Sequence, residues 1–144
     1  MKLVVAIDGA QSAETALKHI ANAKYDSDTA MHLIHVIVPG FADVNVEGIP
    51  DVGAIERKEE QKVLDDMAET LKTTLNITAT SSIRVGETAE VIAKICKELD
   101  ADEVIVPSHA HHGFSRLWFG SVADEIVDAA PCTVVVLKMP QQKH

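Results

Sequence analysis

Aromatic side chains are scarce in this sequence. Phe, Trp and Tyr make up 3% of its 144 positions, so Val, Ile, Leu and Ala must build any core. β-Branched strands packed under Ala- and Leu-lined helices would do that. Cysteine is nearly as rare. Cys96 and Cys132 stand far apart with no CxxC pairing. Cys96 falls on an apolar helical stripe and Cys132 just before a strand, so both read as small buried hydrophobes rather than a disulfide. Basic residues are in deficit, 13 against 22 acidic, for a net charge of −9. Such a surface repels nucleic acid and anionic lipid, and no basic patch offsets it, so neither is expected as a partner. Long apolar runs are missing too. The first, Leu3–Ile7, stops at Asp8, too short for a signal peptide or a membrane span, which makes the cytoplasm the expected location.

Several chemistries lack their motifs. There is no GxxxxGK[ST] to clamp a triphosphate with magnesium. The first apolar run is followed by "DGAQSA" rather than GxGxxG, which removes the dinucleotide fingerprint. No GxSxG elbow is present for a hydrolase. Ser, Cys and Asp occur without a recognisable base and orienter, and no phosphoryl-transfer lysine is in view. No catalytic residues are assigned, and the chain is not expected to be an enzyme.

What the sequence does hold is an alternation. Leu3–Ile7 is a strand bounded by Asp8-Gly9. Ser12 is placed to cap a helix carrying Ala16, Ile20 and Ala23 on one face. "MHLIHVIV", Met31–Val38, is a second strand, ended by Pro39-Gly40. Phe41–Gly53 is irregular. A charged helix over about 54–75 then repeats Val63, Met67, Leu71 and Leu75 every four residues. Thr78–Val85 is the third strand. Thr88 is placed to cap a helix with Ile92, Ile95, Cys96 and Leu99 on one side. Glu103–Val106 is the fourth strand, Ser121–Ala129 a helix stopped before Pro131, and Thr133–Lys138 the fifth strand. The tail "MPQQKH" should fray. Continuous apolar strands alternating with helices predict a parallel α/β sandwich with right-handed crossovers, one domain over residues 1–144.

Ligands of open parallel sheets bind beyond the carboxyl ends of the strands, where strand order reverses. The candidate segments are therefore Asp8–Ala10, Val38–Ala42, Gly86–Thr88 and "PSHAHHGFSRLWFG", Pro107–Gly120. The last ends on Gly120-Ser121-Val122, which offers helix-start amides and a hydroxyl, a setting for phosphate. Ser121 can equally act as a plain N-cap. Asp8 can accept from a ribose hydroxyl or base amine, help hold a metal, or brace its turn. His109, His111 and His112 raise the question of zinc or copper, but their spacing suits no tetrahedral site, so no metal is assigned. His32 and His35 lie in the second strand and read as hydrogen-bonded core or edge residues. Trp118, near Phe114 and Phe119, reads as packing or partner contact.

"VVAIDGA", "LIHVIVP", "RVGETAEVIAKICKELDADEVIVPSH" and "GFSRLWFGSVADEIVDAAPCTVVVLK", in this order, resemble universal stress proteins over nearly the whole chain, least so from Phe41 to Thr74. The resemblance implies a Rossmann-like fold, adenine nucleotide alpha hydrolase-like, with strand order 3-2-1-4-5. It also implies a homodimer whose last strand, here Thr133–Lys138, pairs antiparallel across a two-fold axis. Nucleotide-binding members resemble Gly-x-x-Gly, nine residues, then Gly-Ser or Gly-Thr. Here Gly120-Ser121 matches the end, while Pro107 and Ala110 replace the two leading glycines, and Gly113 agrees with a glycine often seen in the loop. The family site would be formed by Ala6, Ile7 and Asp8, by Val36 beside the base, by Val106 and Pro107 through their backbone, and by Gly120, Ser121, Val122 and Ala123 at the phosphates. The expectation is a dimeric sensor of ATP or AMP, with Mg²⁺ accompanying ATP and no obligatory cofactor. The alternative is a stress-induced interaction protein, acting through its dimer and an unidentified protein partner.

Overall fold

The computed structural model describes residues 1–39, 52–108 and 120–140. Each aliphatic run becomes a strand and each following periodic segment a helix. The order is β1 (Lys2–Ala6), α1 (Ala10–Ala23), β2 (Ala30–Ile37), α2 (Val52–Leu75), β3 (Ala79–Val85), α3 (Thr88–Glu98), β4 (Glu103–Pro107), α4 (Gly120–Ala129) and β5 (Thr133–Leu137). The five strands form one sheet in the order β3-β2-β1-β4-β5, every pair parallel. Leu3 aligns with Met31 of β2 and with Glu103 of β4, which makes β1 the central strand.

Side-chain alternation assigns each strand residue to one of two cores. Leu3, Val5, Ile7, Leu33 and Ile105 face α1 and α2, meeting Ala16, Ile20, Leu64, Met67 and Leu71. Val4, Ala6, Ile34, Val36, Val104 and Val106 face α3 and α4, meeting Ile92, Ile95, Cys96 and Ile126. Each fully buried Leu or Ile contributes about 1.5–3 kcal/mol. Both faces of β1 are covered, which is why it is uninterrupted apolar sequence.

The edges differ. On β3 the contacts are polar: the His32 imidazole lies between Thr80 Oγ1 (2.7 Å) and Ser82 Oγ (2.8 Å), and Arg84 pairs with Glu98 at 2.7 Å. Burial, with Arg84 nearby, holds His32 below the usual imidazole range, so it bridges the two hydroxyls as a neutral ring. On β5 the exposed edge is apolar, with Val136 44% exposed.

The described residues revise four local expectations. Gly9, not Ser12, precedes α1; Ser12 lies inside the helix and makes other bonds, described below. Glu87, not Thr88, caps α3, its carboxylate accepting from the Ala89 and Glu90 amides, while Thr88 is buried as the first helical residue. Ala23 is exposed, its place on the buried face taken by Ala13. Met139, expected to fray, is buried, and its amide donates to Ser108 Oγ at 3.3 Å. Residues 41–51 of the irregular segment and the last four residues of the tail lie outside the described residues. Among the described residues no helix is long and apolar enough to cross a membrane.

Candidate functional site

The chain runs β1 to β2 to β3 toward one edge, then returns through β4 and β5 toward the other. The direction therefore reverses between β1 and β4, and the carboxyl ends of these two strands are where open parallel sheets take their ligands. Ala6 ends β1, with Ile7 and Asp8 following it. Val106 and Pro107 end β4. Gly120, Ser121, Val122 and Ala123 form the first turn of α4. The fold thus brings the expected residues to one end of the sheet. Beyond Ser108 the loop between them, residues 109–119 with His109, Ala110, His111, His112, Gly113, Phe114, Trp118 and Phe119, lies outside the described residues.

Within this set the roles separate by face. Ala6, Val36 and Val106 are buried in one apolar cluster, and Val122 packs against it. Ile7 belongs to the opposite core, against α1 and α2, so only its backbone is left for the site. That backbone is engaged: the Ile7 amide donates to Ile34 O at 2.9 Å, and its carbonyl accepts from His35 Nδ1 at 2.9 Å. Asp8 is 7% exposed, an ionisable group drawn under the surface at the switch point. Its amide donates to Ser12 Oγ at 2.8 Å, and the same hydroxyl donates to Gly9 O at 3.0 Å. Ser12 therefore braces the turn from within the helix.

The helix starts at this end are not equivalent. α3 is closed by its own Glu87, whose carboxylate takes two of its free amides. The first turn of α4 contains no acidic residue, and Ser121 stands second in the helix rather than at its cap. Its leading amides point toward the carboxyl end of the sheet with the positive end of the helix dipole, a setting that favours an oxyanion. Pro107 carries no N–H, is buried, and is the last residue of β4, paired with Leu137. The position of the first loop glycine in the nucleotide-binding pattern is here part of the strand.

One group escaped the sequence reading. α2 crosses β2 and sets two carboxylates against the buried His35 ring. Glu56 Oε1 lies 3.4 Å from Nε2, and Glu60 Oε2 lies 3.5 Å from Nδ1. The Nδ1 proton is directed at Ile7 O, so Glu60 Oε2 sits beside the ring as a charge neighbour without a hydrogen bond of its own. Burial pushes the Glu60 carboxyl above the usual range, opposed by His35 and reinforced by Glu56, Asp8 and Glu59. The signal was present in sequence: Glu56, Glu60, Leu64, Met67 and Leu71 form one helical stripe, so the buried face of α2 runs on into two acids. Among the described residues no three His, Cys, Asp or Glu side chains gather as metal ligands.

Comparison with known proteins agrees with this architecture. The family model described as "Universal stress protein family" matches residues 1–138. A universal stress protein of Methanocaldococcus jannaschii is 26% identical, the match covering 99% of this chain and 84% of that protein. A universal stress protein family structure from Arabidopsis thaliana, with AMP bound, superposes with a TM-score of 0.64 at 17% identity, covering 97% of this chain and 92% of that one. The universal stress protein of Archaeoglobus fulgidus in complex with dAMP gives 0.63 at 19% identity, covering 96% and 98%. At these identities the two structures establish a shared fold.

Proposed function

The chain belongs to the universal stress protein family, and from that premise we propose that it binds an adenine nucleotide, AMP or ATP, at the switch point between β1 and β4 and acts as a dimeric sensor. The observation that carries this reading is that a buried aspartate just past β1 and an acid-free helix start after β4 lie at the same, carboxyl end of the sheet. In this reading the base lies beside Val36 and the strand ends at Ala6 and Val106, the last of these through its backbone. Ribose hydroxyls donate to the Asp8 carboxylate, and the phosphates take the leading amides of α4. That the AMP- and dAMP-bound proteins share this fold supports the ligand class. Mg²⁺ would accompany the triphosphate of ATP, and AMP needs no ion. The role is binding rather than turnover.

The dimer would form through β5. Its inner edge pairs with β4, while among the described residues no strand pairs with its outer edge, and Val136 is exposed. Antiparallel pairing with a second copy over residues 133–138 would cover an edge that otherwise invites aggregation.

Calorimetric titration with AMP and ATP, with and without Mg²⁺, tests the nucleotide reading. Saturable heat is expected. Asp8→Ala removes a charged hydrogen-bond acceptor and should weaken binding about 10- to 100-fold. Heat indistinguishable from dilution up to millimolar ligand would defeat it.

Pro107 favours a second reading. Where nucleotide binders resemble a glycine, this chain has a buried strand residue without an amide proton. On that reading the protein acts through its dimer and a protein partner. Nucleotide recovered from the protein as purified would count against it.

A further inference from the structure

Ile7 O and Asp8 N–H belong to one peptide plane, a rigid unit. Side chains from two different elements hold that plane at both ends. His35 of β2 donates Nδ1–H to the Ile7 carbonyl at 2.9 Å, and Ser12 of α1 accepts from the Asp8 amide at 2.8 Å. The last ladder bond to β2, from the Ile7 amide to Ile34 O at 2.9 Å, belongs to the preceding peptide, so the Ile7–Asp8 plane is held by side chains rather than by the ladder. Gly9 follows at φ 148° and gives the chain no local stiffness. The direction in which Asp8 leaves the backbone therefore depends on these two side chains.

We propose that His35 is a positioning residue for nucleotide binding: packed against Glu56 and Glu60 of α2, it fixes the Ile7–Asp8 peptide and with it the Asp8 carboxylate. The inference rests on the nucleotide reading above and adds the residue that sets the geometry of that site. His35 is 4% exposed and cannot itself reach a ligand at the switch point, since its ring lies on the α1–α2 side of the sheet. Glu56 Oε1 of α2 lies 3.4 Å from Nε2, within hydrogen-bond reach, and Glu60 Oε2, one turn further on, lies 3.5 Å from Nδ1 as a charge neighbour. The charged neighbours of this ring are Glu56 and Glu60, with Glu59 and Asp8 also acting on Glu60. The arrangement is a buried histidine packed against carboxylates with its Nδ1 proton directed at one backbone acceptor.

The test measures AMP binding by calorimetry for His35→Leu, His35→Asn and Ser12→Ala, each in the wild-type and the Asp8→Ala background. His35→Leu removes the donor and should weaken AMP about three- to tenfold, the loss of one hydrogen bond. His35→Asn keeps an N–H near the Nδ1 position and should restore most of that loss. Ser12→Ala is the milder cut at the other end of the same peptide and covers the case in which His35→Leu does not fold. In the Asp8→Ala background neither variant should cost further affinity, because the group they place is gone. A purely structural histidine would instead lower affinity by the same factor in both backgrounds. Equal AMP binding by wild type, His35→Leu and Ser12→Ala would overturn the positioning role and leave the nucleotide reading standing. No binding of either AMP or ATP by wild type would overturn both.

Discussion

Gly86 stands at φ 157° in the turn after β3, and a Cβ built on it would lie 2.7 Å from Val91 Cγ2. Gly9 has a similar backbone, φ 148°, but open space around it. Backbone strain of about 1–3 kcal/mol is expected for Gly9→Ala, and a larger loss for Gly86→Ala, where the methyl also displaces Val91. Chemical denaturation of the two variants checks the order; equal losses would show that the Val91 contact relaxes freely. Glu60 makes a pH-dependent prediction. Burial lifts its carboxyl above the usual range, so the unfolded chain loses this proton at lower pH than the native protein does. Between those two values the native state binds more protons, and stability falls as pH rises. Glu60→Gln removes the titration. Its melting temperature should gain on wild type as pH climbs from the ordinary carboxylate range through the higher Glu60 value. Parallel melting profiles for the two proteins would contradict this.

At the scale of elements, the alternation of β-branched runs with 3.6-period helices was legible because tertiary packing and local pattern agree. Even β1 and α3, found within a residue or two of their expected bounds, needed only periodicity. Helix caps were not legible in the same way. Ser12 and Thr88 have good capping side chains, but a hydroxyl inside the first turn looks the same in sequence as one at the cap. Only the structure shows that Ser12 turns back to Asp8 and that Glu87 reaches the α3 amides first. The acids of α2 were hidden because a carboxylate on a charged helix ordinarily faces water. Glu60 faces His35 because α2 crosses β2, a relation that exists only once the sheet is assembled. Of the candidate site, Asp8 and the α4 start could be found from their place after strands. His35 could be recognised as hydrogen-bonded, but its acceptor on a neighbouring strand could not. β5 carries this scale's own prediction. Val136→Lys puts charge on the exposed edge and should shift sedimentation from dimer to monomer while leaving the circular dichroism spectrum intact. An unchanged dimer sedimentation coefficient would place the assembly elsewhere, and a monomeric wild type would contradict the dimer.

For the whole molecule, the two cores divide the labour. The α1–α2 side packs the sheet and, through His35, fixes the backbone at the end of β1. The α3–α4 side holds the second apolar core and the acid-free start of α4, the proposed place of the phosphates. A net charge of −9 repels phosphates at long range, so recognition has to rest on local amides and on shape rather than on steering. The most direct measurement is a map of backbone amide chemical shifts as AMP is added to the isotopically labelled protein. Nucleotide at the switch point predicts that the amides of Asp8, Gly120, Ser121 and Val122 move together and saturate at one affinity. Shifts confined to other surfaces, or no shift at any of these four, would contradict it.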